Sequence, residues 1–76
     1  MQVSSLYLNG IKEGRQLLNH WRAHAIEITP GLLTETLASE RRFMAGVSGL
    51  YGSAGNVDFC KGQIDFLENQ LRRLAR

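Results

Sequence analysis

The stretch Gly46-Val-Ser-Gly-Leu-Tyr-Gly-Ser-Ala-Gly-Asn56 carries glycine at 46, 49, 52 and 55. Its reading decides the fold. A phosphate-binding loop would need a preceding strand, and lysine followed by Ser or Thr after the last glycine. Here Asn56-Val57-Asp58 follows, and an acidic residue in a first helical turn repels phosphate. The spacing of three instead puts Gly46 and Gly49 on the end of one helix. Gly52 and Gly55 release the chain into a turn, and Asn56 caps the next helix. The stretch is a hinge between helices.

Working outward, both flanks are helical. After the hinge, Val57, Cys60, Ile64, Leu67, Leu71 and Leu74 repeat the three–four spacing of an apolar seam, with Phe59 and Phe66 widening the face. Arg72, Arg73 and Arg76 suit the negative end of that helix dipole. Before the hinge, Leu33, Leu37, Met44, Val47 and Tyr51 form one stripe, interrupted by Glu40, with Phe43 and Leu50 as a second stripe beside it. Two stripes predict a middle helix that touches two neighbours. Thr29-Pro30-Gly31 opens this helix, with Thr29 as cap.

The first third carries a further seam of Tyr7, Ile11, Gly14, Leu18, Trp21, Ala25 and Ile28, with Ser4 or Asn9 as N-cap. Gly14 on that seam lets a neighbouring helix approach closely. Helices are expected over about 5–28, 31–51 and 57–75, with no strand. The fold class is all-α, in a single domain. It is a three-helix bundle, or a long helical hairpin with a middle helix, and homodimerisation would complete a core this small.

Composition narrows the function classes. The 76 residues hold one cysteine, so no internal disulfide forms, and a reducing cytoplasm fits. No run approaches the roughly 20 apolar residues of a membrane span, and the N-terminus lacks a signal-peptide pattern. Nine basic and seven acidic residues give a net charge of +2, a mild bias for a nucleic-acid binder.

His20 and His24, with Glu27 three residues on, share a helical face that zinc or nickel could use. Glu27 and distant Cys60 would have to complete such a site. The reading adopted is two histidines beside a buried tryptophan, with no metal and no cofactor. Cys60 on its seam reads as a small core residue. No catalytic grouping is recognisable, so the chain reads as a non-enzyme.

The six aromatics exceed what three short helices hide easily. Trp21, Phe43, Tyr51, Phe59 and Phe66, with Arg72 and Arg73, are the candidate protein-binding residues. The alternative is a nucleic-acid module using Arg41, Arg42, Arg72, Arg73 and Arg76. A third reading is a structural homo-oligomeric subunit.

The segment Val57-Asp-Phe-Cys-Lys-Gly-Gln-Ile-Asp-Phe-Leu-Glu-Asn-Gln-Leu-Arg-Arg73 resembles the ends of small helical proteins of tailed bacteriophages and prophages. Those pair an aromatic-x-x-Gly-Gln run with a leucine-rich basic terminus. The resemblance implies an accessory role in virion assembly or in binding a host protein, in the bacterial host cytoplasm. It assigns no residue a role.

Overall fold

A computed structural model describes residues 4–48 and 54–75. They form three helices and, among the described residues, no strand: α1 Ser5–Ala23, α2 Pro30–Ser48 and α3 Ala54–Leu74. The expected all-α bundle is what the chain builds.

Local chemistry sets most of the helix ends. Ser4 caps α1, its hydroxyl accepting from the Tyr7 N–H at 3.0 Å. Thr29 caps α2 the same way, accepting from the Leu32 N–H at 3.1 Å. Pro30 follows at the first helical position, where its missing N–H costs nothing.

The end of α1 departs from expectation. The helix stops at Ala23 rather than near 28, so Ala25 and Ile28 are not part of its seam. The Ile26 N–H donates to the Trp21 carbonyl at 2.8 Å and the Ala25 N–H to the Arg22 carbonyl at 3.1 Å. This paired pattern is a Schellman C-cap. Ala25 occupies the left-handed position that glycine usually fills, with φ of 57°. Ile28 still packs on the core, but from the connection between α1 and α2.

The hinge also shifts. α3 begins at Ala54, so Gly55 and Asn56 lie inside its first turn, and Asn56 is not its cap. Gly46 sits within α2. Gly49, Leu50, Tyr51 and Gly52 lie outside the described residues.

The helix with two neighbours is α3, not α2. α1 and α2 each lie against α3, and neither backbone closely approaches the other. Two faces of α3 explain this. Cys60, Ile64, Leu67 and Leu71 point into the apolar core with Leu33 and Leu37 of α2 and Leu18 of α1. Phe59, Gly62 and Phe66 lie on a second face, toward α1. The second stripe expected on α2 is not a packing face where it is described, since Phe43 is 60 % exposed. Leu67 is 1 % exposed within one chain, so the α3 seam is filled intramolecularly.

α1 and α3 run parallel, as the successive pairings of Tyr7 with Gly62, Gly10 with Gln63 and Gly14 with Phe66 require. The Tyr7 hydroxyl donates to the Asp65 carboxylate across this pair. That bond, with slight burial and the nearby negative charge, raises the Tyr7 pKa above the usual phenol value. On the other side of α3, Arg41 of α2 reaches Glu68 at 3.4 Å, an exposed ion pair between helices.

Candidate functional site

Beyond the glycine contact, α1 and α3 leave a groove of about 420 Å³ lined by Arg15, Leu18, Arg22, Phe66, Asn69, Gln70 and Arg73. No lining residue comes from α2. The groove is built by the helix spacing. Gly14 lacks a side chain, so the Phe66 ring settles against the α1 backbone: a Cβ at Gly14 would stand 2.8 Å from Phe66 Cδ1. Phe66 is half-buried there, and Leu18, 2 % exposed, belongs to the core. The Arg15 guanidinium lies 5.9 Å from the centre of the Phe66 ring, within cation–π range.

The charges on the walls all have one sign. Arg15 and Arg22 flank the α1 seam one helical repeat apart, about 10.5 Å along the axis at 1.5 Å per residue. Arg73 faces them from the last turn of α3. Positions flanking a helix–helix seam ordinarily carry opposite charges, which favour pairing. Here three guanidiniums line one groove, and among the described residues none of them has a carboxylate within ion-pair distance. The amides of Asn69 and Gln70 add neutral donors and acceptors. The Asn69 carbonyl oxygen already accepts from Arg72 at 2.7 Å.

The sequence-derived candidates divide accordingly. Phe66 and Arg73 line the groove, while Arg72 is exposed beside it and held to Asn69. Trp21 is half-buried and packs on the core. Phe59 is half-buried, its carbonyl turned against Gly10 of α1. Phe43 stands apart on α2, exposed. Tyr51 and Arg76 lie outside the described residues.

Of the nucleic-acid set, Arg73 lines the groove and Arg72 is held to Asn69 beside it. Arg41 is committed to Glu68, and Arg42 is exposed on α2, away from the groove. Arg15 and Arg22 escaped the sequence reading because isolated basic residues on a helix look like solvated surface. Their signal was available: seven apart, each directly follows a seam position, Gly14 or Trp21.

The His20 and His24 rings lie 4.4 Å apart and tilted by 49°, both exposed. Among the described residues no three metal-binding side chains cluster. Cys60 is buried, 1 % exposed. Burial raises its thiol pKa, and the negative charge of Glu40 raises it further. It is a packed thiol rather than a nucleophile.

No described helix is long and apolar enough to cross a membrane. Comparisons with protein-family models, curated proteins and solved structures gave no match.

Proposed function

We propose that this chain is a non-enzymatic helical module that binds a protein partner through the groove between α1 and α3. One observation carries the reading: Arg15, Arg22 and Arg73 line one groove beside the half-buried Phe66, and among the described residues none of the three has a carboxylate within ion-pair distance. Clustering like charge on a helix–helix boundary works against stability. A ligand that neutralises the cluster offsets that cost. Arginine and aromatic side chains are also enriched at protein interfaces. In a phage setting, which the C-terminal resemblance suggests, the partner is a host or virion protein and the module acts in the bacterial cytoplasm.

Affinity capture with the whole protein and with the double variant Arg15→Gln/Arg73→Gln tests this. The expected result is a protein retained by the parent chain and lost with the variant, while both give the same helical circular dichroism. Identical capture profiles would remove the groove as the docking face.

A further inference from the structure

We infer that the groove takes an amphipathic helix carrying two carboxylates one helical repeat apart, on either side of an apolar residue. The inference rests on the groove being the docking face and adds the chemistry of what docks there.

Arg15 and Arg22 stand seven residues apart on α1, which sets their backbones about 10.5 Å apart along the helix axis. A second helix laid alongside repeats the same spacing, so side chains at i and i+7 meet both. Between them lies Phe66, half-buried, whose exposed part can meet one apolar side chain at i+3 or i+4, while Leu18 is buried in the core. Arg73 reaches the same space from α3, so one of the two carboxylates can be held from both walls. Guanidinium–carboxylate pairs are the strongest hydrogen-bonded contacts such a groove can make.

A nucleic-acid strand fits less well. A phosphate backbone needs a basic track that continues past a few residues. This chain has a net charge of only +2, with Arg41 already paired to Glu68.

The test uses the whole protein and a fluorescent peptide of about 18 residues, long enough to hold a helix. The peptide carries Glu at two positions seven apart and Leu midway. Its counterpart has Gln for both Glu, and single-stranded oligothymidylate is the third probe. The Glu peptide should bind, and the Gln peptide should bind roughly tenfold more weakly or worse, as expected when charged hydrogen bonds are lost. Arg15→Gln, Arg22→Gln and Arg73→Gln should each weaken the Glu peptide, by about three- to tenfold. Arg42→Gln, an exposed position outside the groove, should leave it within about twofold.

Three results overturn the inference: equal affinity for the Glu and Gln peptides, equal loss with Arg42→Gln, or no binding of either peptide. Oligothymidylate bound more tightly than the Glu peptide, and lost with the groove variants, would also overturn it in favour of nucleic acid. If peptide binding fails while capture still depends on Arg15 and Arg73, the groove remains the docking face and only the acidic helix falls. If both fail, the module itself falls.

Discussion

Gly10 of α1 and Gly62 of α3 face each other reciprocally across the parallel helix pair. A methyl group on Gly10 would run into the carbonyl oxygen of Phe59, and one on Gly62 into the carbonyl oxygen of Tyr7. The matching backbone nitrogens, Gln63 N and Ile11 N, would each lie 3.0 Å away. Backbone cannot swing aside as a side-chain tip can, so the helices would have to separate. Gly10→Ala and Gly62→Ala gain up to about 1 kcal/mol of helix propensity. Each also overpacks a closed contact, at about 1–3 kcal/mol or more. Both variants should be destabilised in urea titrations. A rise in midpoint for either would show that the two helices are not this close in solution.

Gly46 makes the opposite case. It lies in α2 with nothing within 4 Å of a Cβ built on it. Gly46→Ala should therefore stabilise the protein by about 0.5–1 kcal/mol, through helix propensity alone. Thermal melts of Gly46→Ala and Gly10→Ala side by side should shift in opposite directions.

Ala25 holds the left-handed position of the α1 cap, at φ 57°. That conformation costs an L-residue about 1–2 kcal/mol, part of which glycine would return as unfolded-state entropy. Ala25→Gly is expected to stabilise by about 0.5–1 kcal/mol, raising the melting temperature by several degrees in a chain of this size. No change, or a fall, would mean that the Schellman turn forms differently in solution.

Glu40 interrupts the apolar stripe of α2, and burial raises its pKa above the usual carboxylate value. An acid whose folded pKa lies above its unfolded one binds more protons folded than unfolded between the two values. Its contribution is fully present below the unfolded pKa and lost as pH rises through the folded pKa. Glu40→Gln should flatten that fall and raise stability at neutral pH, read from urea midpoints across the acidic range. The same variant removes one of the two causes that raise the Cys60 pKa.

Cys60 itself should resist alkylation while the protein is folded. Its thiol is buried and held protonated, so reaction with iodoacetamide must wait for opening of the core. Labelling should be slow in buffer and fast in denaturant, as mass spectrometry would read. Rapid stoichiometric labelling of the folded chain would contradict the packing of α3 described above.

Much of the fold was legible because helices are encoded locally. The seam from Cys60 through Leu71, the Ser4 and Thr29 caps and Pro30 each work over a few residues, and each is where the sequence places it. The α1 terminus was not legible, because an alanine stands where a glycine would have announced the cap. The candidate site was only half legible. Phe66 and Arg73 stood out by type, whereas Arg15 and Arg22 acquire meaning only beside α3.

By itself, the sequence determined three amphipathic helices and the proline-led break before α2, since propensity, capping and periodicity act within a turn or two. Tertiary structure alone decided which helix is central and that α1 and α3 lie in parallel contact. It also decided that three arginines share one groove. The physical reason is the absence of two Cβ atoms, at Gly10 and Gly62, more than fifty positions apart along the chain. A glycine in a helix reads locally as a weakness. Only its counterpart on the facing helix turns it into a contact.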